Sequence, residues 1–267
     1  MWRLVDKLLS LARRDLLTAM RYRMGFMLHG ASLLIEMVTL YYLARAVGPQ
    51  FHPDGIAYFP FLLIGTSYAT FLATGVSAFV SAVREAQLTG TMEALMTTAT
   101  PLYQIIALTV LSTFSAYLVS TLLFVAVGLI LFHVPLGHPN IAGALLVLTL
   151  SILTAFSLGI FAAGVQVIMQ KGAAVLWLLN TAMAFLSGTM FPVSVLPSFF
   201  RKLSMLIPVT HSLDGLRLAL FRGAGFRELA TPVLALAIFS SVLLPLSILS
   251  FSWAVRRAKL EGSVAFY

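Results

Sequence analysis

Residues 141–170 read IAGALLVLTLSILTAFSLGIFAAGVQVIMQ, a run without Asp, Glu, Lys or Arg. Wound as an α-helix at about 1.5 Å per residue it measures about 45 Å, more than the roughly 30 Å hydrocarbon core of a bilayer. A stretch this long and apolar has no face to turn to water, so it reads as a membrane-crossing helix. Outward from it the pattern recurs at Met24–Val47, Ala57–Val83, Tyr103–Phe132, Ala173–Phe191 and Thr231–Val255. Composition agrees: of 267 residues 60% are apolar and 10% charged, where a soluble domain carries about 25% charged residues. A water-soluble globule and a disordered chain are both excluded. The expected fold is an all-α polytopic membrane protein with six transmembrane helices.

Turn chemistry marks the breaks. Gly48-Pro49-Gln50 with Pro53-Asp54-Gly55 closes the first span, and Pro135-Leu136-Gly137-His138-Pro139 separates the third from the fourth. Gln170-Lys171-Gly172 is so short that the fourth and fifth spans should be antiparallel neighbours. Basic residues set the orientation. Arg3, Lys7, Arg13, Arg14, Arg21 and Arg23 precede span one, Arg84 follows span two, Lys171 follows span four, and Arg256, Arg257 and Lys259 follow span six. The loops after spans one and three hold no Lys or Arg. Both termini are therefore expected to be cytoplasmic.

Residues 1–23 alternate charged and apolar positions close to a helical repeat, with Trp2, Leu4, Leu8 and Leu11 opposite Arg3, Lys7, Arg14 and Arg21. That is the pattern of an amphipathic interfacial helix on the cytoplasmic membrane surface, not of a cleaved signal. Residues 24–255 form the six-span domain, and residues 256–267 a cytoplasmic tail. One region resists the charge rule: Arg201, Lys202, Arg217, Arg222 and Arg227 all fall between spans five and six, on the side expected to be outside. An extra span over Leu203–Leu220 would have to bury Pro208, His211, Asp214 and Arg217. The stretch 192–222 is read instead as a re-entrant or outer helical hairpin, broken by Pro192, Pro197 and Pro208. Such backbone survives at membrane depth only when buried in protein or lining a cavity. Arg201, Lys202 and Arg217 would attract anionic groups; alternatively Asp214 and Arg217, at i and i+3, would simply neutralise each other.

Chemistry is sparse. The lysines are Lys7, Lys171, Lys202 and Lys259, none followed by Ser or Thr, so no phosphate-binding loop can be written. Cysteine is absent and the five histidines are scattered, so neither a metal site nor a catalytic group is expected. The interior of the spans holds one acidic residue, Glu36, near the middle of span one. It is a hydrogen-bonded interior carboxyl or the proton site of an ion-coupled secondary transporter. Tyr68, Phe71 and Tyr117 are candidates to stack on rings of a transported molecule. Small residues recur every fourth position at Gly65, Ala69, Ala73, Ser77 and Ser81, and at Ala155, Gly159 and Ala163. They are read as close helix packing within the chain first and as a dimer interface second.

After span two comes Arg84-Glu85-Ala86-Gln87-Leu88-Thr89-Gly90-Thr91-Met92-Glu93-Ala94-Leu95-Met96, then Thr97-Thr98-Ala99-Thr100-Pro101. Thr91 suits a helix N-cap and the Thr97–Pro101 stretch a helix end. On physical grounds this is equally a force-transmitting helix and an ordinary loop. Its Glu…Gly-Thr-Met-Glu-Ala-Leu pattern resembles the corresponding segment of the ABC type-2 exporter permeases, the transmembrane subunits of polysaccharide, lipo-oligosaccharide and drug exporters. A second segment is similar too: Ser187-Gly188-Thr189-Met190-Phe191-Pro192, then Leu196-Pro197, then Ile207-Pro208-Val209-Thr210, ending in Leu213-Asp214-Gly215-Leu216-Arg217. Ile207 stands where that family commonly has Asn.

The resemblance implies a half-transporter in the cytoplasmic (inner) membrane of a prokaryote, itself not an enzyme. Two copies would pair as a homodimer and dock two separate ATPase subunits that carry ATP and Mg; this chain would bind no cofactor, and no nucleic acid is expected as a partner. Residues 84–101 would contain the coupling helix, with Arg84, Glu85, Gly90, Thr91, Met92 and Glu93 nearest the ATPase. Met92, Leu95 and Met96 would alternatively bury against the chain's own spans. The hairpin, with Asp214 and Arg217, would sit at the outer mouth. The substrate would be amphipathic or lipid-linked: a glycolipid, a polysaccharide or a hydrophobic drug.

Overall fold

The computed structural model describes residues 23–97, 102–136, 138–169 and 172–261. The expected interfacial helix lies outside these residues except for Arg23, as do residues 98–101 of the loop and the tail beyond Glu261. Among the described residues the secondary structure is helix and turn, with no strand. The helices are α1 (Arg23–Val47), α2 (Tyr58–Leu88), α3 (Met92–Met96), α4 (Leu102–Leu131), α5 (Ile141–Met169), α6 (Gly172–Leu186), α7 (Ser198–Met205), α8 (Pro208–Phe221) and α9 (Ala230–Glu261). Five of them, α1, α2, α4, α5 and α9, are long and apolar enough to cross a membrane.

α5 is the hub, packed against α9, α2, α8 and α6. Its small-residue stripe is consumed inside the chain, with Ala155 and Ala163 buried and Gly159 so close to Phe79 of α2 that a β-carbon there would collide with the ring. Phe79 in turn meets Phe156 edge-on at 5.2 Å, Phe156 meets Phe114 of α4 at 5.0 Å, and Phe114 meets Phe71 of α2 at 4.6 Å. Gly75 leaves the room that Phe114 fills. Where lipid supplies no hydrophobic drive between helices, this fit of ring into glycine notch is what holds α2, α4 and α5 together. α5 and α9 add a polar tie, Thr154 to Ser240 at 2.9 Å. α1 leans on α2 through Met37, Leu40 and Ala44 against Leu62 and Leu63.

Two elements depart from their expected lengths. α2 does not stop at Val83 but continues through Arg84 and Glu85 to Leu88. Its 31 residues make a rod of about 46 Å, longer than the hydrocarbon core needs. α6 is shorter than the expected span over Ala173–Phe191, since its 15 residues end at Leu186. Gly188 then takes φ +78°, a left-handed conformation that cannot continue the helix. At about 22 Å, α6 alone does not reach across a bilayer core.

Candidate functional site

The end of α6 frees backbone carbonyls that a continued helix would have used. Arg217 of α8 donates to two carbonyls just past this end, Nη1 to Gly188 at 2.9 Å and Nη2 to Thr189 at 3.2 Å, and its Nη2 also reaches the carbonyl of Phe61 within α2 at 3.0 Å. The guanidinium also lies over the Phe61 ring, 3.4 Å from its centre, and the residue is only 4% exposed. Gly65, one turn on from Phe61, is required by this arrangement, because a β-carbon there would strike both the Thr189 carbonyl and the guanidinium. Arg217 thus staples the hairpin and the end of α6 onto α2. Asp214 is exposed, and the guanidinium's hydrogen bonds all run to backbone carbonyls of other elements.

Other hairpin groups do the same work. Arg201 donates to the carbonyls of Ser194 and Leu196, Arg222 to that of Asp54, and Ser204 to that of Leu186. Tyr58 donates to Met190 at 3.1 Å, and His211 Nε2 lies 2.9 Å from the carbonyl of Met205. Three of the arginines that broke the charge rule, Arg201, Arg217 and Arg222, are therefore donors to main-chain carbonyls. The prolines begin elements as much as they end them. Pro192 precedes a short 3-10 turn, Pro197 precedes α7, and Pro208 is the first residue of α8, where its fixed φ and missing N–H cost nothing.

Beside this staple lies a cavity of about 370 Å³ bordered by α1, α2, α5, α6 and α8. Glu36, Ala69, Ala73, Ser151, Asn180 and Pro208 are among its lining residues. The α2 stripe thus changes use along its length: Gly65 is packed, while Ala69 and Ala73 face open space. Glu36 and Thr70 also line a smaller cavity of about 90 Å³ with Phe71 and Tyr117. Tyr68 is buried in the core instead.

The second cluster of expected residues lies at the far end of α2. Arg84 and Glu85 are exposed on the last turns of the helix. Gly90 takes φ +69° and reverses the chain. Thr91 accepts the first hydrogen bond of α3 through its carbonyl, from Leu95 at 3.0 Å, while its hydroxyl pairs with that of Thr89 at 3.0 Å. Met92 is 1% exposed and packs into the main core with Val83, Ala86 and Ile106. It anchors the turn and offers no surface. Glu93 lies within α3.

Sequence reasoning missed Gln87 and Gln166, 2% and 1% exposed, whose amides meet at 3.2 Å between the ends of α2 and α5. The available signal was a glutamine near the end of each of two apolar helices. It also missed the Phe61 carbonyl as an arginine acceptor, a relation across 156 residues of chain that no local pattern encodes.

Comparison with known proteins agrees with this picture. The family model described as ABC-2 family transporter protein matches residues 46–249. Over 60 residues the chain is 47% identical to nodulation protein J of Sinorhizobium fredii (strain NBRC 101917 / NGR234), a stretch covering 22% of this chain and 22% of that relative. With the matched region spanning most of its length, the chain belongs to the ABC-2 family of transporter membrane proteins.

Proposed function

We propose that this chain is the permease subunit of an ATP-driven exporter that moves an amphipathic or lipid-linked molecule outward, with hydrolysis carried out by a separate ATPase. One observation carries the reading. The α2 rod runs past the length a bilayer needs, ends in exposed Arg84 and Glu85, and turns through Gly90 into a short helix pinned to the core by Met92. A rigid projection with a polar outer surface and a buried root suits transmission of movement from a soluble partner into the bundle. No phosphate-binding loop can be written in these 267 residues, and on this reading the energy comes from a separate ATPase.

On this reading α6 and residues 187–192 together complete a sixth crossing, the hairpin closes the outer mouth, both termini are cytoplasmic, and two copies pair with two ATPases. Purification from the native host tests it. An ATPase should accompany the wild-type chain and be lost on Glu85→Arg or on deletion of residues 88–96, and an intact complex in both variants would reject the docking surface. An ion-coupled reading has in its favour that Glu36 lines the cavity. It predicts uphill transport by the chain alone, collapsing with the proton gradient.

A further inference from the structure

The polar lining of the large cavity leans toward acceptors, with the Asn180 amide able to donate as well as accept. Among the described residues Glu36 is the sole ionisable side chain along its lining, which includes no Lys, Arg or His. Most of its hydroxyls have already committed their protons. Thr66 donates to the carbonyl of Leu62, Ser151 to that of Val147 or to Ser212, Thr154 to that of Leu150, and Ser212 to that of Pro208. A hydroxyl whose hydrogen is spent on its own helix presents only lone pairs. The rest of the wall is apolar, with Leu40, Leu72, Val76 and Leu158 among it. Behind Glu36 the smaller cavity adds the rings of Phe71, Tyr117 and Phe124, whose faces attract positive charge.

An acidic side chain, hydroxyl lone pairs and aromatic rings set into an apolar wall all favour positive charge carried on a hydrophobic body. We propose that this cavity binds a hydrophobic cation, with Glu36 receiving the positive group and the apolar wall of α2 and α5 receiving the body. As the substrate class of the exporter described above, this rests on that reading. Anionic lipid-linked molecules are disfavoured at this point of the path, because their charge would sit beside Glu36, and Arg217, the cation of the staple beside the cavity, already spends its donors on main-chain carbonyls.

The test is equilibrium binding to the full chain in nanodiscs, without ATPase, so it reports separately from the co-purification experiment. Tetraphenylphosphonium and tetraphenylborate serve as probes, equal in shape and opposite in charge. Tetraphenylphosphonium should bind saturably above empty nanodiscs and resist competition by tetraphenylborate. Glu36→Gln should weaken it at least about tenfold, while Glu36→Asp retains it. Ala73→Phe, which fills the cavity and keeps the carboxyl, should abolish it, and this variant reads the site even where Glu36→Gln does not fold. Absence of saturable binding, unchanged affinity in Glu36→Gln, or equal competition by the borate overturns the proposal. So does efficient disulfide dimerisation of Ala73→Cys, a clean probe in a chain without cysteine, since a second copy would then occupy the space.

Discussion

The guanidinium of Arg217 lies 3.4 Å from the centre of the Phe61 ring and donates to the main-chain carbonyl of that same residue at 3.0 Å. Ring face and carbonyl are thereby held by one planar cation, which also reaches the Gly188 and Thr189 carbonyls where α6 stops. Lipid cannot hydrogen-bond a freed carbonyl, so a helix that ends short of the bilayer surface needs a donor from protein. A planar group with several N–H donors in fixed directions meets that need, and a lysine ammonium, compact and without a flat face, meets it less well.

Arg217→Met should therefore destabilise the purified chain by roughly 2–4 kcal/mol, because it strands buried acceptors. Arg217→Lys should fall between it and wild type. Thermal unfolding in detergent measures the order, and an Arg217→Met protein as stable as wild type would remove the staple from the account.

Gly65→Ala adds a single carbon, yet that carbon meets the Thr189 carbonyl and the Arg217 guanidinium. Overpacking of this kind costs about 1–3 kcal/mol. Gly30, whose β-carbon would meet nothing within 4 Å, is the matched control. Gly30→Ala should be neutral or slightly stabilising, since alanine is the better helix former. Equal melting temperatures for the two variants would contradict the close approach at Gly65.

Gln87 and Gln166 are joined by a buried hydrogen bond at 3.2 Å, which the loss of either amide removes. Gln87→Leu alone should cost about 1–3 kcal/mol. The Gln87→Leu/Gln166→Leu double variant should cost less than the sum of the singles by about 0.5 kcal/mol or more, as contacting residues do in a double-mutant cycle. Strict additivity would falsify direct coupling between these helix ends.

Met92 and Glu85 separate the anchoring of the turn from the proposed docking of an ATPase. Met92→Ala should destabilise the chain by about 2–5 kcal/mol, as truncation of a fully buried side chain does. Glu85→Arg, on the surface, should leave unfolding within about 0.5 kcal/mol of wild type while releasing the ATPase. Were Glu85→Arg to lower stability as Met92→Ala does, lost partner binding would reflect unfolding alone.

The long helices were legible because a bilayer imposes a length that a one-dimensional pattern can meet or fail. Residues 141–170 meet it in isolation, and α5 occupies Ile141–Met169. The ABC-2 resemblance was legible in the loop and hairpin segments, and the family match agrees. The end of α6 was not legible to within five residues, since hydropathy continues past Leu186 while the backbone turns at Gly188. Nor were the hydrogen-bond partners of Arg201, Arg217 and Arg222. Their actual acceptors are carbonyls, which every residue carries and no side-chain pattern marks.

By itself the sequence determined that this chain is a helical, multi-pass membrane protein, because length and apolarity are local properties, and two short segments carried its resemblance to the ABC-2 family. Only the tertiary structure decided which small residues pack and which open onto a cavity, that Met92 is a root and not a surface, and that Arg217 closes the gap left by α6. Each of these depends on what another helix places opposite, and in a bundle of uniformly apolar helices the rotation of each one is set by its neighbours.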